Sequence, residues 1–99
     1  MHPLVRAQIP QIIEACKRHR VKRLALFGSA VRDDFDPERS DIDVLIDFEP
    51  LAPGTHADHF FGLLADLEAR MGRPVDLVES HTLRNKFVRR AVERDEVVL

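Results

Sequence analysis

Residues 42–48 show a strict alternation of side chains, and this alternation limits how the chain can fold. One face carries Ile42, Val44 and Ile46, and the other face carries Asp43, Leu45 and Asp47. This period of two is typical of a β-strand that packs one face on a hydrophobic core. A single strand of this kind is not stable alone, so the chain must supply further strands and helices that cover its apolar face.

Other segments of the chain supply such elements. The apolar run 24–27 and the segment 74–78 (PVDLV) predict two further short strands. The spacing of apolar residues predicts helices at 4–19, 55–71 and 82–93, with a helical turn and a loop at 30–40. The apolar tail 97–99 is interpreted as a final strand or a docking segment. This order predicts an α/β protein in which a small mixed β-sheet is flanked by helices.

Pro10 lies within the first predicted helix. Proline lacks a backbone donor and is disfavoured in a helix interior, although it is tolerated in the first turn. We therefore expect the main part of this helix to begin near Pro10. A basic run at 17–20 closes the helix, where cations suit the carbonyl end.

Length and composition exclude several classes of protein. The chain has 99 residues, 44% of them hydrophobic, which is too apolar for a disordered chain and suits one small domain spanning 1–99. The net charge of −2 gives no overall basic field, so we expect no direct nucleic-acid ligand. No apolar run approaches the ~18 residues of a membrane span, and no secretory signal is apparent, which favours a cytoplasmic protein without membrane contact. The single Cys16 is interpreted as a buried packing residue.

Three local features point to chemistry, although each also has a structural explanation. Gly28–Ser29 ends a predicted strand, where glycine allows close approach to a phosphate and N–H groups can donate to it; the alternative is a plain turn. Asp41 and Asp43 start the next strand on one face, roughly 6–7 Å apart, and suit Mg²⁺; the alternative is a strand-entry cap. Asp76 lies inside an apolar strand, where a carboxylate is costly unless it is exposed or coordinates something. If that strand pairs beside 42–48, Asp76 completes a cluster of three carboxylates.

Taken together, these features resemble a known family. The segment LFGSAVRDDFDPERSDIDVLI is similar to the signature of the DNA polymerase β-like nucleotidyltransferases, in their minimal branch, and PVDLVE resembles the strand with the third carboxylate. The similarity covers residues 22–79. It departs from the family at Asp33, where a glycine commonly follows the arginine, and in a loop 33–40 that is one residue longer.

The resemblance implies a polymerase β-like fold and a role for each matching residue. Gly28, Ser29, Arg32 and Ser40 would bind the nucleotide. Asp41, Asp43 and Asp76 would be catalytic and would hold Mg²⁺, as two ions, with Asp76 as candidate general base. ATP is the implied substrate, and the implied chemistry is transfer of AMP to a hydroxyl.

Minimal members of this family commonly pair with a HEPN-family toxin in a two-gene module. The resemblance therefore implies an antitoxin that forms a hetero-oligomer with its toxin and adenylylates it, on a tyrosine hydroxyl. The alternative is a binding module that neutralises the toxin by complex formation alone. Transfer to a small molecule is disfavoured because the sequence offers no second substrate domain.

Two other features each have a structural and a functional interpretation. His56 and His59 form an H-x-x-H pair, but no further ligand is near in sequence, which favours surface histidines. The last predicted helix is basic: it carries Arg84, Lys86, Arg89, Arg90 and Arg94. A solvated face is the default interpretation, and a docking surface for an acidic partner or RNA is the alternative.

Overall fold

A computed structural model describes residues 1–99, which form three helices and four strands. In chain order these are α1 Pro3–Arg18, β1 Val21–Phe27, β2 Ile42–Phe48, α2 His56–Met71, β3 Val75–Glu79, α3 Lys86–Asp95 and β4 Val97–Val98. Short 3₁₀ turns follow β1 and β3, at Gly28–Ala30 and Ser80–Thr82. None of the helices is long and apolar enough to cross a membrane.

The four strands form one mixed sheet in the order β3-β2-β1-β4. Strand β1 runs antiparallel to β2 and β4, whereas β2 and β3 are parallel. A parallel pair needs a crossover connection, which α2 provides. The sheet and its flanking helices confirm the predicted fold class.

The two faces of the sheet are covered unequally. One face carries the main core: the β2 residues Ile42, Val44 and Ile46 are fully buried there together with residues of α1 and α2. The other face has a small cluster formed by Ala25, Leu45 and the α3 residue Val92. The acidic side chains of β2 therefore lie on the thinly covered face.

The start of α1 differs from the prediction that its main part begins near Pro10. The helix begins at Pro3, where the Nδ1 atom of His2 accepts the N–H of Leu4 at 3.0 Å. Val5 is fully buried and fixes the first turn in the core. Pro10 is tolerated inside the helix because it is exposed, so water can hydrate the carbonyl that loses its donor.

The C-terminal tail is a strand, which decides between the two interpretations of residues 97–99. Val97 and Val98 pair with Leu26 and Ala25 of β1. The N–H of Leu99 also donates to the carbonyl oxygen of Leu24 at 2.9 Å. Because β4 pairs on one side only, it forms an edge of the sheet.

Candidate active site

The turn after β1 brings the backbone against an acidic side chain. Gly28 has a φ of +62°, a conformation that L side chains rarely adopt. A Cβ atom built on Gly28 would clash with Oδ2 of Asp43. Glycine is therefore required here for two reasons, its backbone conformation and the carboxylate directly beside it.

The strand register brings the predicted carboxylates to the same face of the sheet. Asp43 lies opposite Phe27 of β1 and opposite Asp76 of β3. Because directly paired residues project to the same face, the side chains of Asp43 and Asp76 are neighbours. Asp41 lies two residues before Asp43 at the strand entry, and Asp41 and Asp76 are exposed whereas Asp43 is partly buried.

The electrostatics of this group are unfavourable for negative charge. The pKa of Asp43 is raised from 3.8 to about 6, first by burial and then by the charges of Asp76 and Asp41. A backbone hydrogen bond from Ser29 and the positive charge of Arg32 oppose this rise. A cation placed between the carboxylates would relieve the repulsion.

The donor set fits a partly open magnesium site. No group of three or more histidine, cysteine or carboxylate side chains is arranged so that it could hold a metal ion by itself, so a bound ion would need ligands from water or substrate as well. Mg²⁺ usually binds through one or two carboxylates and completes its octahedron with water and substrate phosphates. Oxygen donors on Asp41, Asp43 and Asp76 match this preference.

Arg32 and Ser40, the other two predicted nucleotide-binding residues, are held by neighbours in the loop. The Nε of Arg32 donates to the carboxylate of Asp34 at 3.1 Å, so the acid that follows Asp33 engages the arginine. The hydroxyl oxygen of Ser40 accepts the N–H of Asp36 at 2.9 Å, and its carbonyl oxygen accepts from Arg73 at 3.3 Å. Arg32 borders the site next to Gly28, whereas the side chain of Ser40 fixes the loop.

Arg73 is a residue of this region that sequence reasoning missed. Its guanidinium carbon lies 5.1 Å from the centroid of the buried Phe35 ring, and Nη1 bonds the backbone of Ser40. Its Nε is buried without a partner. Arg73 thus fixes the loop that leads directly into Asp41. No local pattern signals this role, because both contacts join residues more than thirty positions apart.

Helix α3 lies next to the site. A cavity of about 140 Å³ is lined by residues from both: Phe27, Gly28, Arg32, Ala91, Val92 and Asp95. A molecule that binds on α3 would therefore lie close to the Gly28 turn.

The two histidines of the H-x-x-H motif have different partners. The Nε2 of His56 lies 2.8 and 2.9 Å from the carboxylate oxygens of Glu79, which also contacts His81 at 3.2 Å. His59 has no carboxylate contact, and like His56 it packs edge-on to the ring of Phe48. Glu79 is the one buried charged residue, and these contacts compensate its burial.

Comparisons with known proteins identify the family to which the chain belongs. The profile of the family described as Nucleotidyltransferase domain matches residues 9–98. Among similar proteins are two from Methanocaldococcus jannaschii that are named protein adenylyltransferases. One is 32% identical over 79% of this chain and 76% of its own length, and the other is 33% identical over 84% of this chain and 81% of its own.

Solved structures give the same fold. A structure described as a minimal nucleotidyltransferase has a TM-score of 0.78 and 32% identity, over 96% of this chain and 92% of its own. A crystal structure of the MntA–HpeT toxin–antitoxin pair matches with a TM-score of 0.67 and 16% identity, over 90% of this chain and 69% of its own. A toxin–antitoxin structure with AMP-PNP has a TM-score of 0.68 and 18% identity over the same shares. The family match, the fold and the strand register lead to one conclusion: this chain belongs to the nucleotidyltransferase domain family.

Proposed function

We propose that this chain is a magnesium-dependent adenylyltransferase that moves AMP from ATP to a tyrosine hydroxyl of a partner HEPN-family toxin, and that it acts as the antitoxin in the cytoplasm. One observation carries the proposal: Asp43 is paired with Asp76 and lies directly beside the Gly28 turn. A phosphate-binding turn next to clustered carboxylates suits nucleotidyl transfer.

Two comparisons support the choice of ATP and of a protein acceptor. Similar proteins from M. jannaschii are named protein adenylyltransferases. A structure of the same fold is a toxin–antitoxin complex that contains the ATP analogue AMP-PNP. Hydroxyl acceptors on a protein surface also suit a site in which two of the three carboxylates are exposed.

The proposed reaction can be written with the residues of this chain. The N–H groups of the turn and the hydroxyl of Ser29 hold the triphosphate. Arg32 releases its hydrogen bond to Asp34 and contacts a phosphate. The hydroxyl oxygen attacks the α-phosphorus of ATP, the bond from that phosphorus to the bridging oxygen breaks, and pyrophosphate leaves with the electron pair. The hydroxyl proton passes to Asp76, the exposed carboxylate of β3.

Asp41, Asp43 and Asp76 would hold the magnesium ions. When bound there, magnesium lowers the pKa of the attacking hydroxyl and neutralises charge on the triphosphate. Within the chain, burial and then the charges of Asp76 and Asp41 raise the pKa of Asp43, and a bound cation would offset both effects.

The direct test is the intact mass of the partner. The proposed HEPN-family partner is expressed with this chain, or is incubated with the purified chain, ATP and Mg²⁺. We expect its mass to rise by one or more adenylyl groups, with release of one pyrophosphate per group. Replacing Asp41 and Asp43 by Asn should abolish the mass shift. Asp47→Asn is the matched control, because Asp47 lies on the same strand and face but outside the carboxylate cluster.

The same variants separate catalysis from neutralisation by binding alone. If the Asp41→Asn/Asp43→Asn variant still protects cells from the toxin, the chain acts by complex formation. If protection and the mass shift are lost together while the complex still forms, transfer is the antitoxin activity. An unmodified partner in the wild-type reaction would refute the proposed function.

A further inference from the structure

Helix α3 exposes apolar side chains that the proposed chemistry does not use. Of its ten residues only Val92 is buried, and it packs against Ala25 and Leu45. Phe87 and Val88 lie near the start of the helix, with 70% and 48% of their surfaces exposed. Two adjacent large apolar side chains that are this exposed on a small protein indicate a surface that another molecule covers.

The cations around these side chains have no carboxylate partners. Arg84, Lys86 and Arg90 form none of the ion pairs in the structure, and the Nζ of Lys86 lies 5.5 Å from the ring centroid of Phe87. The first turn of α3 contains no acid and begins with Lys86. A cation at a helix N-terminus opposes the helix dipole, so this arrangement costs stability in the free chain. Negative charge on a partner would offset that cost.

This combination favours a protein over a nucleic acid as the partner. Protein interfaces are enriched in aromatic residues and arginine, and a few side chains near their centres carry most of the binding energy. The exposed valines Val97 and Val98 of the edge strand β4 follow α3 directly and add apolar surface that phosphate contacts would not use.

The exposed surface continues toward the candidate active site. Phe87 and Ala91 are four positions apart and share a helix face, one turn of about 5.4 Å from each other. Ala91 lines the same cavity as Gly28 and Arg32. A protein seated on Phe87 would therefore lie beside the turn that is proposed to hold the triphosphate.

We infer that the α3 surface is the docking site for an acidic face of the acceptor protein. The α3 surface is defined here as Arg84, Lys86, Phe87, Val88 and Arg90. This inference rests on the proposed function for the identity of the acceptor. The docking itself does not require transfer, so the two can be tested separately.

The test is the affinity of the purified chain for the acceptor protein of the proposed function, measured by calorimetry at low and at high salt. Phe87→Ala should weaken binding about tenfold or more, as expected for a central aromatic anchor. Lys86→Glu/Arg90→Glu should weaken it at least tenfold at low salt and remove most of its salt dependence. Both variants change exposed side chains, and circular dichroism verifies that they fold.

Two matched variants on the opposite side of the sheet serve as controls. Phe61→Ala removes a phenylalanine of α2 that is 63% exposed, and Arg6→Glu reverses an exposed cation of α1. Both should bind like the wild type. Equal loss of affinity in these controls, or full affinity in the α3 variants, would overturn the inference.

Further measurements distinguish a protein partner from other occupants, and separate docking from the proposed function. Tighter α3-dependent binding to a single-stranded RNA, or self-association that the α3 variants abolish, would assign the surface to RNA or to a second copy and overturn the inference. The Asp43→Asn variant should bind normally yet transfer nothing. If the wild type binds through α3 but never modifies its partner, the proposed function fails while the docking surface stands.

Discussion

The clearest consequence of the candidate site is that Asp43 destabilises the free protein at neutral pH. Its pKa is raised from 3.8 to about 6, so the folded state holds this proton more tightly than the unfolded state does. By linkage, wild-type stability is reduced progressively as the pH rises from about 4 to about 6, and the full cost remains at higher pH. Asp43→Asn removes the charge and keeps the shape, so it should stabilise the protein above pH 6 when no metal or nucleotide is present.

The size of the effect follows from the pKa and the exposure. At 1.36 kcal/mol per pH unit, a rise from 3.8 to about 6 sets an upper bound of roughly 3 kcal/mol. Asp43 is only partly buried, and solvent screening reduces this value, so we expect about 1–2 kcal/mol. For a domain of this size, each kcal/mol corresponds to about 4–8 °C in Tm.

The assay is urea unfolding of both proteins at pH 8 and at pH 3.5, without divalent cations. The difference in free energy of unfolding should be largest at pH 8 and small at pH 3.5, where Asp43 is protonated in the folded state and mostly protonated in the unfolded state. Glu38→Gln, which changes an exposed acid without a side-chain partner, should show no such pH-dependent gain. An Asp43→Asn variant that is no more stable than wild type at pH 8, or equally stabilised at both pH values, would refute the reasoning.

Three further outcomes follow from the same structure. Gly28→Ala should destabilise the fold by more than about 2 kcal/mol and abolish transfer. Gly54 also has a positive φ, but a Cβ atom there would meet nothing within 4 Å, so Gly54→Ala should cost only about 1 kcal/mol. Urea unfolding and transfer assays compare the two variants. Cys16, which is 3% exposed and has a pKa raised to about 12 by burial, should not react with a thiol reagent at pH 8 until urea unfolds the chain. Arg73→Met should free the loop at Ser40 and lower kcat more than it raises KM, and protease cleavage of residues 33–40 should become faster; unchanged cleavage would refute the anchoring role.

Several features of the fold could be predicted because local patterns encode them. The alternation in 42–48 follows from the strand period, and the apolar spacing of α2 follows from the helix period. Gly28 and the Asp41–Asp43 pair are close in sequence and lie where a strand ends or begins. Their types and spacing match the signature of a known family, and this resemblance connected them with nucleotidyl transfer.

Other features could not be predicted because they depend on contacts between distant residues. The start of α1 at Pro3 depends on a buried Val5 and an exposed Pro10, which only the packing of the helix determines. Arg73 reaches Ser40 across 33 positions, and His56 reaches Glu79 across 23. Neither contact leaves a periodic signal in the sequence.

The sequence by itself determined the elements and the chemical groups of this protein: a strand that ends in Gly28–Ser29, a strand that begins with Asp41 and Asp43, and an acid at 76. These properties depend on neighbours in the chain, which set backbone conformation and the alternation of faces. Only the tertiary structure decided that β3 lies parallel beside β2 with Asp76 opposite Asp43, and that Asp43 lies against Gly28. Strand register and burial arise from packing between distant segments. The carboxylates therefore become neighbours, and the pKa of Asp43 rises, only when the chain has folded.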